Sequence, residues 1–284
     1  VTLGYVHGHD DAEQRRLLDQ AGSLGAIVHH DTVFEPGTTV LEIGCGTGAH
    51  TVAFARQHPR TRFIATDIAA VAVDETRRRA LEAGCTNVEV SRADVYELPL
   101  SPDSVDAVVV SFVLEHLRDP HGALGAVLRV LRPGGTILVV EGDHASAYFH
   151  PDSPAARQAI ACQVELQRRL GGNADIGRQV GPLLREAGFT QVTVSPRMVY
   201  ADDDRPDLMD GFTRRTFTAM IAGVREDALA AGLCDAATFD QGLADLERSA
   251  RPGGVFCYTF FKATGVKDPS GPKDPLSARG HEGS

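Results

Sequence analysis

Residues 41–48 read Leu41-Glu42-Ile43-Gly44-Cys45-Gly46-Thr47-Gly48, an acidic residue leading into three alternating glycines at the end of an apolar run that starts at Val40. Glycine is needed where a backbone turns sharply off a strand and a ligand must approach closely, because a Cβ would collide there. The helix that follows presents unpaired N–H groups at its N-terminus. The stretch predicts a strand, a ligand-binding turn and a helix, the opening unit of an α/β sheet that binds a nucleoside.

Spacing narrows the ligand. A dinucleotide fingerprint needs G-x-G-x-x-G, with the pyrophosphate over the helix N-terminus. Here Gly44, Gly46 and Gly48 give E-x-G-x-G-x-G, and Ala49 stands where the third fingerprint glycine belongs. The Glu42 carboxylate would repel a pyrophosphate but suits a cationic ligand with an α-amino group. S-adenosylmethionine fits that description.

Four more blocks follow in order. The strand Phe63-Ile64-Ala65-Thr66 ends at Asp67, where an acidic side chain can accept hydrogen bonds from both ribose hydroxyls. Next come Ser91-Arg92-Ala93-Asp94-Val95, then Asp106-Ala107-Val108-Val109-Val110-Ser111-Phe112 leading to Leu114-Glu115-His116-Leu117. Last is the turn Leu131-Arg132-Pro133-Gly134-Gly135, feeding the strand Thr136-Ile137-Leu138-Val139-Val140. Each acidic residue taken singly could equally cap a helix or face water.

Over residues 36–141 this series resembles the class I S-adenosylmethionine-dependent methyltransferases. The resemblance implies that Glu42, Gly44, Gly46, Gly48, Asp67 and Asp94 contact the cofactor, Asp94 accepting from the adenine amine. Ile68, Val95, Phe112 and Tyr5 join them as candidate cofactor contacts. Within the superfamily the chain is similar to small-molecule methyltransferases of the ubiquinone-biosynthesis-like type, including those of bacterial natural-product pathways. That likeness implies transfer of a methyl group to a small-molecule acceptor, a specialised metabolite, with S-adenosyl-L-homocysteine as product. It leaves the acceptor and the methylated atom unnamed, because function lives in the site grafted on the fold. Two alternatives stay open: a protein that holds the cofactor as a scaffold, for example for a cyclisation, and a nicotinamide-dependent oxidoreductase.

The composition suits a globular enzyme. At 284 residues and 43% hydrophobic content, the chain can bury one large α/β core plus an insertion. A net charge of −10 without a long Lys/Arg cluster argues against nucleic acid, whose phosphates dominate affinity. No stretch reaches the roughly 18 apolar residues of a membrane span, and no basic segment leads into an apolar one at the N-terminus. The expectation is a cytoplasmic protein without membrane contact. The five cysteines, Cys45, Cys85, Cys162, Cys234 and Cys257, form no C-x-x-C pair, which favours reduced thiols over disulfides or a metal site.

The expected fold is α/β: a Rossmann-like, seven-stranded, doubly wound sheet with an N-terminal helical flap and a helical insertion before the last strand. Residues 1–35 form the flap and a helix over the cofactor cleft, with Leu17, Leu18, Ala21, Leu24, Ile27 and Val28 at helical spacing. Tyr5, in Gly4-Tyr5-Val6-His7-Gly8-His9, is placed to lie over the ligand, with a frayed terminus as the alternative. Residues 36–197 form the core, 198–254 a helical insertion, 255–265 the last strand and 266–284 a disordered tail. The insertion is long for a connection and reads as a lid or an oligomer surface, the latter giving a homodimer. Its Met209, Phe212, Phe217, Met220 and Ile221 serve as plain core as readily as pocket lining.

In open α/β sheets ligands bind outside the carboxyl ends of the strands. The segment after the fifth strand, Glu141-Gly142-Asp143-His144-Ala145-Ser146-Ala147-Tyr148, points toward the acceptor. His144 and Tyr148 are the candidate catalytic residues, able to take or orient a proton near neutral pH. Both could instead hydrogen-bond a neighbouring loop. Arg178, Arg197, Arg214 and Arg215 suggest an anionic acceptor, though solvated surface charge explains them equally well.

Overall fold

The structure is a computed structural model that describes residues 11–270, with side chains from Arg16 onward. Tyr5 and the flap around it lie outside the described residues. Seven strands form one sheet: β1 (Thr39–Ile43), β2 (Arg62–Asp67), β3 (Val88–Arg92), β4 (Val105–Ser111), β5 (Leu131–His150), β6 (Thr190–Ala201) and β7 (Val255–Val266). Their order is β3-β2-β1-β4-β5-β7-β6. Strands β1 to β5 pair in parallel, whereas β7 runs antiparallel to both β5 and β6. The order reverses direction between β1 and β4, which opens a crevice at their carboxyl ends.

The central strands are buried on both faces, so they read as continuous apolar runs. Val108, Val109, Val110, Val139 and Val140 are all buried. Helices α2 (Ala49–Gln57), α3 (Ala70–Glu82), α4 (Pro120–Val130), α5 (Pro154–Arg169) and α6 (Val180–Glu186) connect the strands, and α1 (Asp11–Val28) precedes them. Leu24 and Val28 of α1 share a core cluster with Phe212, Phe217 and Phe256, so α1 lies against the insertion.

The insertion comprises α7 (Pro206–Leu208), a π-helix (Met209–Thr218), α8 (Ala219–Gly223), α9 (Arg225–Ala230) and α10 (Ala236–Ser249). In the π-helix the Ala219 N–H reaches the carbonyl of Arg214, five residues back, and Thr216 Oγ1 donates to Gly211 O at 2.8 Å. Such widened turns recur at functional sites.

Two boundaries differ from the sequence reading. Strand β6 continues past the expected core boundary at residue 197 to Ala201, because it pairs with β7 as far as Ala201 opposite Phe256. The start of the expected tail is ordered: Lys267 N donates to Gly135 O at 2.9 Å and Gly134 N to Lys267 O at 3.0 Å. An antiparallel β7 delivers its C-terminal end to the start of β5, where Lys267 Nζ also reaches Asp103 at 2.6 Å. Residues 271–284 lie outside the described part. No helix among the described residues is long and apolar enough to cross a membrane.

Candidate active site

The β1–α2 turn has the backbone its glycines require. Gly44 and Gly48 both have φ +74°, and a Cβ on Gly48 would stand 2.8 Å from Thr76 Cα. A Cβ on Gly46 would meet nothing within 4 Å, so its outer side is open to a ligand. Glu42 is buried under the turn, where Thr51 Oγ1 donates to its Oε2 at 2.6 Å. Burial, against the pull of that hydrogen bond and with the nearby Asp67 charge, pushes its carboxyl up to about 7. A buried carboxyl at this edge of ionisation is suited to a cationic partner.

Asp67 at the end of β2 accepts from Gly46 N (3.0 Å) on one oxygen and Ala69 N (2.9 Å) on the other. These bonds fix the carboxylate beside the glycine turn. Ile68, next to it, is an apolar side chain left 52% exposed. Asp94 accepts from Tyr96 N at 3.0 Å, capping a short 3-10 turn at Val95–Glu97. Asp94 and Val95 follow β3, and Phe112 follows β4, so all three emerge at the carboxyl edge of the parallel strands. Phe112 has φ +58°. Cys45 is a small filler, its thiol pushed up by burial.

Beyond this turn lies a cavity of about 540 Å3, counting its mouth. Its apolar wall is Leu17 from α1, Phe112, Phe212, Phe217 and Met220 from the insertion, and Phe260 from β7. Its polar groups are Arg16, Gln20, Glu115, His116, His144, Thr216 and Tyr258. His144 is 5% exposed, and its Nδ1 lies 2.9 Å from Ala174 O and 3.1 Å from the Tyr258 hydroxyl. A carbonyl can only accept, so Nδ1 carries the proton and Nε2 holds a lone pair. That Nε2 is buried without a hydrogen-bond partner.

Of the two residues expected to act on protons, the structure brings only His144 to the cavity. Tyr148 is 58% exposed and stands outside the lining. It follows an irregularity: Asp143 pairs with Thr259, yet Tyr148 pairs with Cys257, so β5 spends extra residues against β7. The four arginines are held by carboxylates elsewhere. Arg178 grips Asp143 through two bonds (2.7 and 2.5 Å), Arg197 pairs with Asp31, Arg214 with Asp210 and Glu247, and Arg215 with Asp19 and Asp210. None of the four lines the cavity. Sequence reasoning missed Arg16, Gln20, Glu115 and Tyr258 as lining groups. For Arg16 a signal was present, a charged residue beside Leu17 on the face of α1 that turns inward.

A methyltransferase-domain family matches residues 40–135. The ubiquinone/menaquinone biosynthesis C-methyltransferase of Pseudomonas savastanoi pv. phaseolicola is 37% identical over 171 residues, which cover 55% of this chain and 67% of that one. The chain belongs to the class I S-adenosylmethionine-dependent methyltransferases. Among the chain's other relatives is an uncharacterised 37.1 kDa protein carried in a transposon of Streptomyces fradiae, 33% identical over 214 residues, 74% of this chain and 61% of that one. The chain spans 41% to 66% of the length of the first curated relatives it matches. Its fold superposes on a solved 4+2 cyclase with a TM-score of 0.56 at 22% identity, covering 88% of this chain and 81% of that one. The family's cofactor, S-adenosylmethionine, fits the residues present: Glu42 for the α-amino cation, Asp67 for the ribose and Ile68 for the base.

Proposed function

We propose that the protein transfers the methyl group of S-adenosylmethionine to a flat, apolar small molecule, a specialised metabolite bearing one ionisable hydroxyl or acidic C–H. The observation that carries this reading is the buried imidazole of His144, which lines a cavity walled by four phenylalanines and whose Nε2 has no hydrogen-bond partner among the described residues. The cofactor supplies an electrophilic methyl on a sulfonium. The aromatic wall holds the acceptor face-on and excludes water, while Glu42, Asp67 and the glycine turn fix the cofactor. Transfer in line needs the acceptor atom about 3 Å from the methyl, so this positioning contributes much of the rate. His144 Nε2 accepts the acceptor's proton, and its charge as imidazolium is stabilised by the Ala174 carbonyl on Nδ1. The acceptor becomes anionic only as it reacts, which requires no arginine clamp.

The test is calorimetry with S-adenosylmethionine, S-adenosylhomocysteine and NADH. It is followed by mass spectrometry of hydroxyaromatic acceptors, beginning with 1,4-dihydroxynaphthalene, for a gain of one methylene. Binding of the first two ligands with a methylated product supports the reading. Binding without consumption across the panel favours a scaffold role, the reading to which the cyclase likeness lends weight. Binding of NADH alone overturns both.

A further inference from the structure

Glu141 is a fully buried acid at the point where β5 reaches the cavity, immediately before the lining residue Gly142. Its Oε1 accepts from Val113 N at 3.0 Å and Leu114 N at 2.7 Å. It therefore caps the short 3-10 turn Leu114–His116 from a strand far away in sequence. The other oxygen, Oε2, is buried with no hydrogen-bond partner. Burial first, then the charge of Glu115, drives this carboxyl well above the usual carboxylate range.

The turn it holds carries two lining groups, Phe112 and Glu115. Phe112 sits at φ +58°, a left-handed conformation that costs about 1–3 kcal/mol in a non-glycine residue unless its surroundings enforce it. Enforcement comes from both sides. Gln167 Nε2 on α5 donates to the Glu115 carbonyl (2.9 Å) and Oε2 (3.2 Å), and Glu141 takes the two preceding amides.

We propose that Glu141 is the positioning residue of the acceptor pocket: it clamps the Val113 and Leu114 amides so that the Phe112 ring and the Glu115 carboxylate face the acceptor. The clamp deepens the methyl-transfer reading and rests on it for its consequence in turnover, but not for its geometry. Phe112 then supplies a fixed aromatic wall, and Glu115 a hydrogen-bond acceptor for an N–H or O–H on the substrate.

Two substitutions separate the clamp from general stability. Glu141→Gln keeps a carbonyl oxygen for both amides, whereas Glu141→Leu fills the space and leaves them unpaired. Hydrogen exchange at residues 113 and 114, read by mass spectrometry or NMR, is expected to quicken about tenfold or more in Leu and to stay slow in Gln. KM for 1,4-dihydroxynaphthalene, or for whichever hydroxyaromatic proves to be methylated, is expected to rise in Leu and recover in Gln. Exchange at the buried amides of β1 and β2, away from this turn, should stay as slow as in the parent in both variants, a split that simple destabilisation would not produce. If Leu fails to fold, Glu141→Ser takes its place in both measurements. Exchange in Leu or Ser as slow as in the parent overturns the clamp, and so does a Gln variant as fast as Leu. Should no acceptor be methylated at all, the functional reading fails while the exchange result still decides the clamp.

Discussion

His144 takes its tautomer from Ala174: a backbone carbonyl 2.9 Å from Nδ1 makes that nitrogen the donor, and in the neutral ring the lone pair then falls on Nε2, which is buried without a hydrogen-bond partner among the described residues. Removing the imidazole should therefore cost chemistry and spare cofactor binding. His144→Ala is expected to lower kcat by about 10²-fold or more, the usual scale of a general base. Calorimetric affinity for S-adenosylhomocysteine should be unchanged. Parental turnover in the variant would remove His144 from the mechanism.

Tyr258 also touches Nδ1, at 3.1 Å, but the tautomer does not depend on it. Tyr258→Phe should cost only about 1 kcal/mol, the worth of one hydrogen bond. Turnover measured beside that of His144→Ala should fall far less. Equal losses in the two variants would instead give the phenol a direct part in proton transfer.

Glu42 makes cofactor affinity depend on pH. Its carboxyl is pushed up to about 7, chiefly by burial, so the anion that pairs with an α-amino cation is depleted as pH falls below that value. Affinity for S-adenosylhomocysteine should weaken between pH 8 and pH 6, with uptake of protons by the free protein, and Glu42→Gln should flatten the profile at low affinity. For the ligand-free protein the sign is opposite. Between the ordinary carboxyl value of 4.5 and about 7 the native state holds the extra proton, so this group's contribution to stability declines as pH rises through that window.

His29 and His50 act on the acid side. Their rings pack edge to face with centroids 4.8 Å apart, at the C-terminal end of α1 and the start of α2. Burial lowers His50 to about 4, and burial with the neighbouring His50 lowers His29 to about 2. Unfolded imidazoles bind protons near 6.5, so the unfolded state gains protons first and the contribution of this pair is lost as pH falls below that value. Urea midpoints at pH 7 and pH 5.5 should differ, and His50→Phe should narrow the difference. An unchanged difference would show that His50 plays no part in it.

Asp67 orders the glycine turn by accepting the amides of Gly46 and Ala69, and the same carboxylate is the one expected to meet the ribose. Asp67→Ala should weaken cofactor binding by about 1–3 kcal/mol through unpaired polar groups. Unchanged calorimetric affinity would take Asp67 out of the site.

The glycine turn and the acidic residues beside it were legible because their information is local. Glu42, the three glycines and Asp67 lie within one βαβ unit, and their spacing alone dictates a turn, a helix and an acidic strand end. The acceptor half is assembled from distant segments. Arg16 and Gln20 meet Tyr258 and Phe260 only through tertiary packing. No period in the sequence announces a π-helix, because its i→i+5 bonds break the 3.6-residue spacing by which helices are read. Tyr148 shows the limit of counting along a strand. The irregularity between Asp143 and Tyr148 resets which face each residue takes, and His144 and Tyr148 end in different surroundings.

Ala201 and Phe256 are partners across β6 and β7, so the intervening helices leave and re-enter the molecule at a single rung. Closing a longer or shorter excursion over the same rung changes the chain entropy only logarithmically. The segment between them is thus a cassette. Exchange for a cassette of different length or wall chemistry would retune acceptor choice while leaving β1, β2 and the glycine turn untouched, and the sheet provides a ready splice point for chimaeras that seek new acceptors.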